Sequence, residues 1–225
     1  MTQTLHDLMF AHWPIALEVL QARVPRALPV DCFNGQAWVG IVPFRITNLA
    51  PRGVPSLPFV SAFPELNVRT YVTVDGKPGV YFFSLDAGSS VAVAAARTLF
   101  HLPYFTATID VDVAGESVRY SSVRDDGVPE ARFEAAYRPV GPVQPPVAGT
   151  LEHFLTERYC LYTIDGSSRV RRLQIHHPPW PLQPAEANVR VNTMADAAGI
   201  ALPAAPPLLH FSKRQDMVGW GMEIL

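Results

Sequence analysis

Residues 64–104 read PELNVRTYVTVDGKPGVYFFSLDAGSSVAVAAARTLFHLPY. Over Leu66–Val74 the side chains alternate. Leu66, Val68, Thr70, Val72 and Val74 share one face of a strand, and Glu65, Asn67, Arg69, Tyr71 and Thr73 share the other. Asp75-Gly76 and Pro78-Gly79 are turn dipeptides, so the chain should reverse into a second strand. That strand, Val80–Leu85, is apolar on both faces, as interior strands are. Ser89 or Ser90 suits the cap of a helix over Val91–Phe100, which Pro103 prevents from continuing. This reading predicts burial of Leu66, Val68, Val72, Tyr81, Phe83 and Leu85, and a helix packed through Val93, Ala96 and Phe100.

On the N-terminal side, Pro14–Ala22 suggests a short helix with proline in its first turn. Gln36–Ile46 suggests a strand with an edge or bulge at Pro43. The Pro-rich stretch Asn48–Phe63 reads as a loop. On the C-terminal side, β-type runs cover Phe105–Val113, Ser117–Arg124 and Ala131–Tyr137. Pro139–Gly149 reads as a surface crossover rather than a boundary, because only a short stretch follows it. Beyond it come a short helix (Leu151–Glu157), strands (Tyr159–Ile164, Arg169–His176, Ala187–Val191) and a helical turn (Asp196–Gly199). This order predicts one α+β domain over residues 1–225, built on a largely antiparallel sheet.

The chain has 225 residues, of which 48% are hydrophobic and 17% charged. Such a composition suits a core-rich globular protein and not a disordered one. A net charge of −2 offers no basic field for nucleic acid or a membrane surface. No apolar run approaches the ~20 residues of a membrane-spanning helix, and the N-terminus lacks the pattern of a secretory signal. The two cysteines, Cys32 and Cys160, suit reduced thiols and a cytoplasmic location. GxSxG, Walker and GxGxxG motifs are absent, so no cofactor is expected. His176 and His177 are adjacent in a strand and point to opposite faces, so no metal site is expected either. Only two of the 18 basic residues are lysines, Lys77 and Lys213.

The order of Glu65, Gly76, Gly79, Arg97 and Pro103 resembles the YqjF-like family of uncharacterised bacterial proteins. Through that family it resembles the acetoacetate decarboxylase-like superfamily. The resemblance implies a sheet curled into a cone or barrel around a small-molecule pocket, with Glu65 facing inward. In the decarboxylases a proline directly precedes the lysine that forms a Schiff base. Here Tyr104 follows Pro103, and Phe105 stands where a second lysine would. A phenol cannot form an iminium, so acetoacetate decarboxylation is not expected.

The site residues carry two readings each. Glu65 and Tyr104 are candidate catalytic groups, with Glu65 as a base and Tyr104 as a phenolic acid or base. Arg69, Asn67, Tyr71, Arg97 and Arg45 are candidate ligand contacts, with Arg69 suited to hold a carboxylate through its planar fork. Alternatively, the Glu65–Tyr71 face is the wet side of a strand, Tyr104 fills the space of a lost lysine, and Arg97 complements its helix C-terminus. The expected partner is an anionic small molecule, an organic acid or acyl compound, acted on without a Schiff base. A non-catalytic carrier or sensor is the alternative, and a homo-oligomer is left open.

Overall fold

The computed structural model describes residues 1–53, 61–125 and 130–225. The Asp75-Gly76 turn holds both residues at positive φ, 51° and 70°. This is the geometry of a two-residue hairpin whose twist matches the flanking strands. It joins β3 (Phe63–Val74) to β4 (Lys77–Ala87). β3 alternates without interruption, but β4 does not: its register against β3 shifts where Arg69 pairs with Phe82 and Val68 with Ser84. The extra residue swaps the faces of β4. Val80 and Phe82 are therefore the buried residues on one side of the bulge and Leu85 on the other, while Tyr81 and Phe83 are half-buried. The expected burial of Leu66, Val68, Val72 and Leu85 holds, and that of Tyr81 and Phe83 gives way to this bulge.

The predicted helix is α2 (Ser90–Phe100), and Ser89 caps it by accepting from the Ala92 amide at 3.3 Å. His101 ends it in the left-handed conformation. After Pro103 the chain forms β5 (Tyr104–Ala114), β6 (Ser117–Arg124) and β7 (Arg132–Pro139). The crossover 139–149 is largely exposed. It leads to α3 (Leu151–Thr156), β8 (Cys160–Ile164), β9 (Val170–His176), β10 (Gln183–Asn192) and α4 (Met194–Ala197).

Two long strands escaped the sequence reading. β1 (Thr2–Ile15) occupies the N-terminus, and its end takes Pro14 from the expected helix, leaving α1 (Leu17–Gln21). β11 (Leu208–Ile224) occupies the C-terminus. β2 (Ala37–Ala50) lies between β1 and β3 and runs through Pro43. The irregularity expected at Pro43 falls on its neighbour: between His6↔Arg45 and Ala11↔Ile41, four residues of β1 run against three of β2. Asp7 in that bulge has φ 52°. The loop expected over Asn48–Phe63 is strand up to Ala50, and 54–60 lies outside the described residues.

Among the described residues, 11 strands form one sheet in the order β1-β2-β3-β4-β5-β6-β7-β10-β11-β9-β8, with β1–β11 and β4–β8 pairings in addition. The two additional pairings close it into rings that share β11, β1, β2, β3 and β4. All pairs are antiparallel except β4–β5 and β4–β8. This is the expected α+β class with a ring of strands. Met9, Ala11, Val39, Ile41, Leu66 and Val68 face Val118, Tyr120, Phe133 and Tyr137 in the main core. The opposite face of β1–β4 lines a cavity in the smaller ring, β1-β2-β3-β4-β8-β9-β11. Among the described residues no helix is long and apolar enough to cross a membrane.

Closure between β4 and β8 requires a close approach. A Cβ on Gly79 would lie 2.6 Å from the Cys160 carbonyl oxygen and from the Tyr162 ring. Gly79→Ala is therefore expected to lose about 1–3 kcal/mol in urea unfolding. Gly166, whose Cβ would meet nothing within 4 Å, is the control. A loss no larger for Gly79→Ala than for Gly166→Ala would rule out this tight contact.

Candidate functional site

Strand register stacks the cavity in layers. β3 sends Phe63, Glu65, Asn67 and Arg69 inward at successive alternate positions. Beside them β2 places Ile46, Phe44, Val42 and Gly40 in the same order, and β4 places Ala87, Leu85 and Phe82 beside Glu65, Asn67 and Arg69. The cavity holds about 770 Å³ and is open on one side. Near the opening are Met1, Arg52, Trp220 and Gly221, with the Arg52 guanidinium 5.3 Å from the Trp220 ring centre. α2 lines it with Val91, Ala92, Ala96 and Phe100.

Glu65 is 3% exposed. The Tyr104 hydroxyl donates to its Oε2 at 3.0 Å, and the Asn67 side chain is also hydrogen-bonded to it. Burial pushes the Glu65 carboxyl up to about 7, and the nearby Asp86 charge adds to the rise; the Tyr104 and Asn67 hydrogen bonds oppose it. Burial, the Glu65 charge and the hydrogen bond to Glu65 drive the Tyr104 phenol well above its ordinary value. At neutral pH Tyr104 is thus a fixed donor, and Glu65 passes readily between acid and carboxylate. Asp86 itself lies across the sheet, where Arg124 holds it through two bonds of 2.8 and 3.0 Å, both residues fully buried.

Arg69 lies deeper. Its Nη2 donates to the Leu155 carbonyl at 3.3 Å, and its guanidinium stands 5.3 Å from the Phe10 ring and 5.8 Å from the Tyr71 ring. Its buried Nε has no partner, and among the described residues no ion pair joins it to a carboxylate. Glu65 and Arg69 therefore share a strand face without touching.

Three of the sequence-derived contacts do not line the cavity. Tyr71 is fully buried beneath it, with its hydroxyl 2.6 Å from His12 Nε2. Arg45 is drawn to Asp7, which also accepts from Lys213 at 2.6 Å. Arg97 turns back along its own chain and donates from Nε to the Tyr104 carbonyl at 2.6 Å. For Arg45 and Arg97 the local partner explains the departure: each cation finds an oxygen before it can reach the cavity.

Arg158, absent from the sequence reading, does line it. It is buried, ion-paired with Asp31 at 2.7 Å, and packed 4.1 Å from the Phe154 ring centre. It follows α3 with no periodicity to flag it. Of the two adjacent histidines, His177 is buried against Tyr159 and His176 faces Trp220. Neither lysine lines the cavity: Lys77 is exposed in its turn and Lys213 is held by Asp7.

A family model described as an uncharacterized conserved protein, DUF2071, matches residues 2–216. The chain belongs to the DUF2071 family. It is 50% identical over 220 residues to the uncharacterized protein YqjF of Bacillus subtilis strain 168, covering 98% of this chain and 90% of that relative. Among solved structures, this DUF2071 chain is similar to an acetoacetate decarboxylase-like enzyme from Sphingomonas wittichii RW1, with a TM-score of 0.66 at 12% identity over 100% of this chain and 92% of the other. It is also similar to the acetoacetate decarboxylase of Legionella pneumophila, with a TM-score of 0.64 at 12% identity, covering 100% and 86%. A third is the enduracididine biosynthesis enzyme MppR complexed with pyruvate, at TM-score 0.66 and 12% identity, covering 99% and 89%. The fold of this DUF2071 protein is acetoacetate decarboxylase-like.

Two outcomes follow from the placement of Glu65 and the lysines. A carboxyl raised from 4.5 to about 7 by folding binds its proton more tightly in the native state. The stability that Glu65 contributes is therefore fullest below pH 4.5, declines as pH rises towards 7 and is lost above it. The gap of about 2.5 amounts to roughly 3 kcal/mol. Glu65→Gln keeps an acceptor for Tyr104 and should flatten this decline in unfolding measured from pH 5 to 8; an unchanged pH profile would count against a buried, raised Glu65. Separately, borohydride with acetoacetate or pyruvate should leave Lys77 and Lys213 unmodified by mass spectrometry. Stoichiometric reduction onto either would reveal Schiff-base chemistry outside the cavity.

Proposed function

We propose that the chain binds an organic acid or acyl compound in this cavity and moves a proton on it without a Schiff base. The observation that carries this reading is the Tyr104–Glu65 hydrogen bond inside an apolar cavity, where the carboxyl titrates near 7. A general base works best when its pKa lies near the working pH. The Glu65 carboxylate takes a proton from carbon beside a carbonyl, the electron pair passes to the carbonyl oxygen, and the neutral carboxyl returns the proton. Tyr104 keeps its own proton and orients Glu65. Arg69 meets the anionic group of the ligand, because its guanidinium stays charged when desolvated and has no carboxylate partner. That MppR of similar fold is complexed with pyruvate supports an acid as the ligand class.

The apolar walls favour a second reading, a carrier or sensor that binds the same compound and does nothing to it. Deuterium exchange separates the two. With oxo acids whose carbonyl stands several carbon atoms from the carboxylate, in D₂O and followed by NMR, the wild type should speed exchange beside the carbonyl, and Glu65→Gln should lose that acceleration by about 10²-fold or more. Binding without exchange above the buffer rate would leave the carrier reading.

A further inference from the structure

We infer that the ligand is an acid with an extended apolar body, not a short keto acid; this rests on the reading of Arg69 as its anion anchor. Two independent observations point there. The first is size: about 770 Å³ lies in the range that holds ligands of ~300–1,000 Å³ sites, several times what pyruvate or acetoacetate fills. The space beyond Glu65 towards the opening is walled by Leu5, Ile46, Phe63 and Met217, which offer apolar contact.

The second is spacing. Glu65 and Arg69 are four residues apart on a continuous strand, which is roughly 13 Å of rise. Among the described residues no ion pair or hydrogen bond joins the Arg69 guanidinium to Glu65. The guanidinium rests on Phe10 and on Tyr71, two residues further along, and donates to Leu155. A compound whose carboxylate meets Arg69 while another group meets Glu65 must span several carbon atoms. In a short keto acid the two functional groups are adjacent or nearly so. The polar contacts thus sit at the deep end and part-way up, and the long apolar remainder lies towards the opening.

The full chain, titrated by calorimetry with butanoate, octanoate and dodecanoate below their micelle concentrations, tests this. Affinity should rise about threefold to fourfold per added methylene, until the chain outgrows the cavity. Arg69→Met should weaken octanoate at least about tenfold and leave octanol unchanged. Equal affinity for butanoate and dodecanoate, with Arg69→Met still weakening both, would overturn the extended body and spare the anchor. Octanol binding as well as octanoate, with no effect of Arg69→Met, would overturn the anchor and with it the acid. Binding of none of these probes would overturn both.

Discussion

The cavity exists because the first strand pairs with the last. β1 runs antiparallel to β11 from Thr2↔Val218 to His12↔Leu208, across some two hundred residues of chain. Without that ladder β1 would be an unpaired edge and the ring around the cavity would stand open, a state that folded proteins avoid. One carboxylate reinforces the junction: Asp7 of β1 accepts from Arg45 of β2 and Lys213 of β11, tying three neighbouring strands. Those hydrogen bonds and charges hold the Asp7 carboxyl below its ordinary range although burial pushes the other way.

Closure gives β3 two different interiors. One face packs Leu66 and Val68 into the main core. The other carries Glu65, Asn67 and Arg69 into a cavity whose walls are mostly apolar. Polar side chains there lack both bulk water and dense packing, which is the setting in which a carboxyl titrates far from its ordinary value. The bulge in β4 completes this arrangement. By reversing the facing of the strand, it turns Leu85 towards the cavity and Asp86 away to Arg124. The second carboxylate is thereby neutralised across the sheet, and Glu65 is left as the cavity's own acid.

How legible each part was in the sequence follows from how local its cause is. β3, the Asp75-Gly76 turn, β4 and α2 announce themselves through alternation, turn residues and a serine cap, each acting over a few residues. β1 and β11 do not. β1 is buried on nearly every side chain from Leu8 to Trp13, which erases a two-residue period. β11 changes partners along its length, and its burial pattern changes with them. Alternation on β3, with the resemblance, put Glu65, Asn67 and Arg69 on one face; that Tyr71 on the same face lies below the cavity depends on α3, which the spacing of β3 cannot reveal. Arg45 and Arg97 are captured by partners that only the folded chain supplies, Asp7 from β1 and the backbone of Tyr104. Arg158 enters the cavity from a turn without any pattern.

Position 104 has a consequence for how such sites diversify. The resemblance read from the sequence implies a lysine at this position in the decarboxylases. Beside Glu65, an ammonium at 104 would pull the carboxyl into its ionised form, and the carboxylate would in turn keep the amine protonated. Tyrosine does neither. It contributes no charge, spends its one proton on Oε2, and leaves the carboxyl free to hold or release its own. A single side chain can therefore reset the resting proton count of the chamber while every strand stays in place. The scaffold can stay fixed while the charge that the chamber holds changes at that one residue.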